Sequence, residues 1–135
     1  VSLEEELSYL KMYLDIERVR FGHRLEVVFE LKDEVKQMRV PQLLIQPLLE
    51  NAIKHGLYGI TEDVKIVVQA AKEHNYLLLQ IENPFDPEVA APKGTGFGLS
   101  SVDRRLFLLF GRKDLLESNS VGSQFTVTLK IPQLK

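Results

Sequence analysis

Leucines at positions 3, 7, 10 and 14 recur at helical spacing with acidic residues between them, so the chain opens on a predicted amphipathic helix. Ser2-Leu3-Glu4-Glu5 supplies a capping box at its start, and the pattern runs to about Gly22. Leu25, Val27 and Phe29 then alternate with Glu26, Val28 and Glu30, which predicts a strand, followed by a polar loop from Lys32 to Arg39. The period changes again after that loop. Pro41 suits a first helical turn, Leu44, Leu48, Ala52 and His55 lie along one stripe, and Gly56 is placed to stop a second helix. Val64 to Ala70 and Tyr76 to Ile81 are β-rich runs separated by the polar Lys72-Glu73-His74-Asn75, a hairpin pattern. The prolines and glycines from Asn83 to Gly94 argue against regular structure. A third helix is predicted from about Gly98 to Phe110 with Gly111 as its stop. Leu115 to Ser118 and Gln124 to Ile131 then form a closing hairpin turned at Val121-Gly122-Ser123. Helices that interrupt strand pairs favour an α/β (α+β) fold, a two-layer sandwich in which about three helices cover one face of a mixed sheet.

Composition narrows the setting more than the chemistry. A chain of 135 residues with 44% hydrophobic content is the size of one domain, and it can bury roughly two-thirds of its unfolded surface. Cysteine is absent, which rules out a disulfide framework and a Cys-ligated zinc site. A net charge of -2 gives no general attraction to nucleic acid or to an anionic membrane, so no nucleic-acid partner is expected. No apolar run approaches the length that crosses a bilayer, and there is no signal-peptide pattern at the start. The chain begins inside a helical pattern at Val1-Ser2, which suggests a piece of a longer protein.

Two segments carry candidate chemistry. Asn51, Lys54 and His55 stand at i, i+3 and i+4, so a helix presents them to one ligand. Mg²⁺ prefers oxygen ligands and usually joins a protein through one or two groups plus substrate phosphates, and an asparagine carboxamide supplies one such oxygen. Taken alone, the trio has a plainer explanation: an amide satisfied by nearby backbone and a histidine favoured by the helix C-terminus. Glu50 reads equally as a contact to metal-bound water and as a solvated carboxylate. The second segment, Gly94-Thr95-Gly96-Phe97-Gly98-Leu99, is a glycine-rich loop that opens a helix, where backbone N–H groups can hold phosphate oxygens. Its spacing differs from the dinucleotide-binding pattern, it follows a proline-rich loop rather than a strand, and no Gly-Lys-Ser/Thr follows. Missing Cβ atoms would let the backbone approach phosphates closely.

An asparagine helix followed by a glycine loop resembles the N-box and G2-box of the GHKL ATPases. The string from Val40 to Gly56, with Pro41-Gln42-Leu43-Leu44-Ile45-Gln46-Pro47-Leu48-Leu49-Glu50-Asn51 at its centre, resembles the catalytic ATP-binding domain of LytS-type sensor histidine kinases. The resemblance implies ATP and Mg²⁺ as cofactors, Asn51 as the magnesium ligand and Lys54 as a phosphate contact, the two catalytic positions. It adds His55 beside the nucleotide. It makes Lys93, Gly94, Thr95, Gly96, Phe97, Gly98 and Leu99 the phosphate-covering segment, with Arg105 a further phosphate candidate that is otherwise a surface or salt-bridged residue. Hydrolysing members place a glutamate base one turn before the metal asparagine. Pro47 stands there in this chain, which fits a kinase better than a freely hydrolysing ATPase. The family's Asp-x-Gly-x-Gly at the adenine is replaced by Asn83-Pro84-Phe85-Asp86-Pro87. Period two along Leu77, Leu79 and Ile81 puts Asn83 at the position that accepts the adenine amino proton, unless it simply starts a turn.

The resemblance also implies a division of labour. Residues 1–22 would be a connecting helix from a dimerisation and phosphoacceptor region, and residues 23–135 the ATP-binding domain. Only His23, His55 and His74 are present, none in a phosphoacceptor motif, so the acceptor histidine is expected on an upstream domain, with a response regulator as the next partner. The full-length protein is expected to be a homodimer anchored in the bacterial inner membrane with this domain in the cytoplasm. The alternative is a degenerate, non-catalytic nucleotide-sensing module.

Overall fold

The computed structural model describes residues 1–57, 63–84 and 97–133. Helix α1 spans Leu3–Phe21, strand β1 Leu25–Leu31, helix α2 Ile45–Leu57, strands β2 Val64–Glu73 and β3 Tyr76–Pro84, helix α3 Phe97–Phe110, and strands β4 Leu116–Val121 and β5 Gln124–Pro132. The order of elements and the mixed sheet match the expectation from sequence. The five strands lie in the order β1-β2-β3-β5-β4. β1 runs parallel to β2, with Leu25 opposite Val64, and every other pairing is antiparallel.

Local chemistry explains most boundaries. The Ser2 side chain accepts from the Glu5 backbone N–H while the Glu5 carboxylate accepts from that of Ser2, so the capping box is formed. Gly22, Gly111 and Gly122 all have positive φ. Gly111 stops α3 and Gly122 turns the β4–β5 hairpin, positions where a Cβ would be strained. His74 also has positive φ, in the two-residue connection between β2 and β3.

The second helix departs from its prediction at both ends. It starts at Ile45, not near Pro41, and continues through Leu57, one residue past Gly56. The start is set from outside the segment. Glu6 of α1 is buried, and its carboxylate accepts from the backbone N–H groups of Leu43 at 3.2 Å and Ile45 at 3.4 Å. Leu43 takes a left-handed conformation, φ 61, which no helical turn allows. Pro47 is then the third helical residue, where an N–H has no intrahelical partner and its loss costs little.

Leu77, Leu79 and Ile81 of β3 share one face with Ile66 and Val68 of β2 and Val127 and Leu129 of β5, all buried. Leu48, Leu49, Ala52 and Ile53 from α2, and Val102 and Leu106 from α3, close that face. α2 contacts β2, β3 and α3. The first half of α1 joins the same core through Leu3, Leu7, Leu10 and Leu14, and the Leu3 N–H bonds to the Met38 carbonyl.

Candidate functional site

The candidate residues lie in the middle of α2, at the end of β3 and at the start of α3. Asn51 lies on the second turn of α2, only 4% exposed, and its Nδ2 is buried with no hydrogen-bond partner. Lys54, one turn on, is exposed. Asn83 is the penultimate residue of β3, opposite Phe125 of β5 and 1% exposed. Strand alternation sends it to the helix-covered face, as the sequence pattern predicts. Its Nδ2 donates to the Pro84 carbonyl at 2.9 Å, which leaves Oδ1 as a buried acceptor with no partner.

Leaving a buried polar atom unpaired costs about 1–3 kcal/mol. Two such carboxamides, one on the helix and one on the strand beneath it, are therefore an expense the fold gains nothing from by itself. A buried amide oxygen without a partner, as on Asn83, can accept from an exocyclic amine. On Asn51 the unpaired atom is the Nδ2 donor, and only the oxygen of the same carboxamide can serve a hard cation. Among the described residues, no three His, Cys, Asp or Glu side chains form an all-protein metal cage. The donor set instead fits an ion held by one amide plus the oxygens of a bound substrate.

The other predicted residues are distributed as follows. Leu99 is half-buried and packs on the core from the first turn of α3. Phe97 and Gly98 begin that helix, so their N–H groups have no partner within it. Lys93, Gly94, Thr95 and Gly96 lie outside the described residues, as do the side chains of His55 and Phe97. Arg105 donates to the Gln42 carbonyl, tying α3 to the stretch that enters α2. Glu50 is exposed and accepts from Gln46 Nε2 at 3.1 Å, one turn back along the helix.

Sequence reasoning missed two residues. Glu6 falls within the buried leucine stripe of α1, and a charge on an apolar stripe was the signal for it. Asp103 on α3 is half-buried with Oδ1 enclosed and unpartnered. Nothing in the spacing around it marks it out.

With this geometry in place, comparison with known proteins assigns the class. The catalytic domain of the histidine kinase ThkA superposes with a TM-score of 0.69, covering 98% of this chain and 94% of that one at 16% identity. ThkA in complex with the response regulator protein TrrA gives 0.65 at 14% identity over 99% of this chain and 41% of that one. The fold is that of a histidine kinase catalytic domain. Among curated proteins, the sensor histidine kinase BtsS of Escherichia coli K12 is 32% identical over 133 residues, which is 98% of this chain and 24% of BtsS. The sensor protein LytS of Enterococcus faecalis is 32% identical over 146 residues, 98% of this chain and 25% of LytS. No family model matches the chain. Homology over nearly the whole of this chain places it in the family of LytS- and BtsS-type sensor histidine kinases. It spans about a quarter of the length of those relatives.

Proposed function

We propose that this chain is the ATP-binding catalytic domain of a two-component sensor kinase. It would bind magnesium ATP and present the γ-phosphoryl group to a histidine on another domain, from which it passes to an aspartate of a response regulator. The observation that carries the reading is the buried, unpartnered Oδ1 of Asn83 at the end of β3. It would give an adenine amino group the acceptor it needs. Asn51 would give its carboxamide oxygen to Mg²⁺, whose role when bound is to offset the charge of the phosphates. Lys54, exposed one turn further, would bring its ammonium to the same phosphates. The free N–H groups at the start of α3 and the segment from Lys93 to Gly98 would hold phosphate oxygens. Arg105 would keep that helix against the entry to α2 and have further N–H donors left for phosphate.

In the transfer, the bond from the bridging oxygen to the γ-phosphorus breaks and a bond from the acceptor imidazole nitrogen forms. Such a step depends chiefly on positioning and charge stabilisation. With Pro47 one turn before Asn51, that position has no group to take a proton from water, which favours transfer over hydrolysis. Residues 1–22 would connect to the dimerisation and phosphoacceptor helices, and the intact protein would hold this domain on the cytoplasmic side of a membrane. No helix of the described residues is long and apolar enough to cross one.

Calorimetry with a non-hydrolysable ATP analogue and Mg²⁺ tests the reading. Binding that is abolished by Asn51→Ala and needs the metal supports it. A folded chain that binds nothing at millimolar nucleotide would instead be a non-catalytic module, and steady phosphate release from the chain alone would make it a hydrolase.

A further inference from the structure

The buried carboxylate of Glu6 is not used by the proposed chemistry. It lies on the stripe of Leu3, Leu7 and Leu10 and makes no ion pair among the described residues. Taking an ion out of water without an opposite charge is costly, so an apolar residue would suit that stripe better. What the carboxylate holds is also unfavourable by itself: Leu43 has φ 61 and is 52% exposed, a large apolar side chain on a backbone conformation that L-residues avoid. Strain of this kind persists only where the surroundings over-determine it, and it gathers at functional positions. The surroundings here do so. The Leu3 N–H donates to the Met38 carbonyl at 2.8 Å and the Val40 N–H to the Val1 carbonyl at 2.9 Å. The Gln133 side chain brackets Arg39, accepting from its N–H and donating to its carbonyl, and Arg105 donates to the Gln42 carbonyl. The stretch 38–45 is thus fixed along its length, and at its end Glu6 decides where α2 begins.

We propose that Glu6 is a positioning residue for Asn51. By holding the amides of Leu43 and Ile45 it sets the origin of α2, and with it the place where the Asn51 carboxamide oxygen meets magnesium. The role rests on the reading of Asn51 as the magnesium ligand. Asn51 stands about 9 Å along the helix from Ile45. Its Nδ2 is buried without a partner, so no bond from that nitrogen anchors the carboxamide, and its position follows that of the helix. Pro47 removes the alternative of a helix that grows backward, because its ring would strike the Leu43 carbonyl. Loss of the Glu6 contact therefore frees Leu43 to return to a right-handed conformation and leaves α2 without a fixed first turn. Lys54 is exposed and its long side chain can follow the phosphates, whereas a short amide ligand to a metal cannot. Asn83 lies on β3, which is held between β2 and β5, so the base side of the site is insulated from the change.

The unchanged chain, Glu6→Gln and Ile131→Ala are compared by calorimetry with a non-hydrolysable ATP analogue, each with Mg²⁺ and with the metal chelated. Ile131 is buried opposite Leu77, at the other end of β3 from Asn83, and serves as a control destabilised far from the site. Glu6→Gln should lose several-fold in the tightening that Mg²⁺ gives, keep its metal-free affinity, and shift the Asn51 side-chain amide signals in NMR spectra. Ile131→Ala should leave all of these as they are. Adding Leu43→Asn to Glu6→Gln should recover most of the loss, because asparagine tolerates the left-handed conformation and can accept from the N–H two residues on. In the unchanged chain, magnesium nucleotide should slow amide exchange at Leu43 and Ile45 more than at Ile131, since coupling is reciprocal. Full magnesium-dependent tightening with unmoved Asn51 signals in Glu6→Gln overturns the proposal, as does an equal loss in Ile131→Ala. If Glu6→Gln does not fold, slowing in the unchanged chain that is no greater at Leu43 and Ile45 than at Ile131 overturns it. An unchanged chain that binds no nucleotide refutes the proposed function, and the Asn51 signals alone then decide whether Glu6 positions that side chain.

Discussion

Glu6→Gln keeps the side-chain volume and removes the charge at the contact that joins α1 to the start of α2. The native carboxylate accepts from two backbone N–H groups, Leu43 at 3.2 Å and Ile45 at 3.4 Å, in a site that is 1% exposed. Glutamine can accept only one of these, and its NH₂ group then faces the other donor. Hydrogen bonds to charged groups contribute about 1.5–3 kcal/mol, and an unpaired buried donor costs about 1–3 kcal/mol. The Ile45 bond is long, so the lower part of these ranges applies and the expected loss is about 2 kcal/mol. That is roughly a 30-fold rise in the unfolding constant, or a fall in Tm of about 6–8 °C for a chain of this size. Urea unfolding at constant m-value measures the loss, and Glu4→Gln, on the exposed side of α1, provides the control. Amide exchange should speed up first at Leu43 and Ile45. A Glu6→Gln protein within about 0.5 kcal/mol of wild type, the ordinary scatter of surface substitutions, would refute the reasoning that this carboxylate sets the beginning of α2.

Other perturbations reach different parts of the molecule. Asn83→Leu removes the proposed adenine acceptor, so nucleotide affinity should fall at least tenfold, about 1.4 kcal/mol, while stability holds or rises because an unpaired buried oxygen is gone; calorimetry and thermal melts read the two effects separately. Leu106→Ala empties a fully buried position between α3 and the sheet and should cost about 2–5 kcal/mol by chemical denaturation. Bonds to the Ser2 backbone and side chain lower the Glu5 carboxyl below its ordinary value of 4.5. A lowered folded-state pKa gives stability that is present above the unfolded value and lost as pH falls through the folded one. The first turn of α1 should therefore fray below the ordinary carboxylate range, seen as faster exchange of the Glu5 amide in acid, and Ser2→Ala should weaken that pH dependence without removing it, because the backbone N–H of residue 2 still donates to the Glu5 carboxylate.

Most of the fold was legible because its elements announce their period locally. Leu77, Leu79, Ile81 and Asn83 alternate, the turns at Gly111 and Gly122 use the residue that tolerates positive φ, and the capping box fixes α1. The start of α2 was not legible because its cap comes from a residue 39 positions before Ile45. The parallel pairing of β1 with β2 was equally hidden, since alternation along one strand says nothing about the direction of its neighbour. At the site, the amide at Asn83 could be found by counting along β3. Its unpartnered oxygen could not, because that depends on the side chain turning its NH₂ toward Pro84.

The bond between the Asn83 amide and the Pro84 carbonyl fixes which atom a visitor meets. Turning the amide over would point oxygen at oxygen, so the side chain cannot adapt to a base that presents the opposite polarity. For a purine seated against Asn83, an amino group would find a waiting acceptor, whereas a carbonyl would find repulsion. Discrimination between the two nucleobases would then come from a single locked torsion, set before any nucleotide arrives.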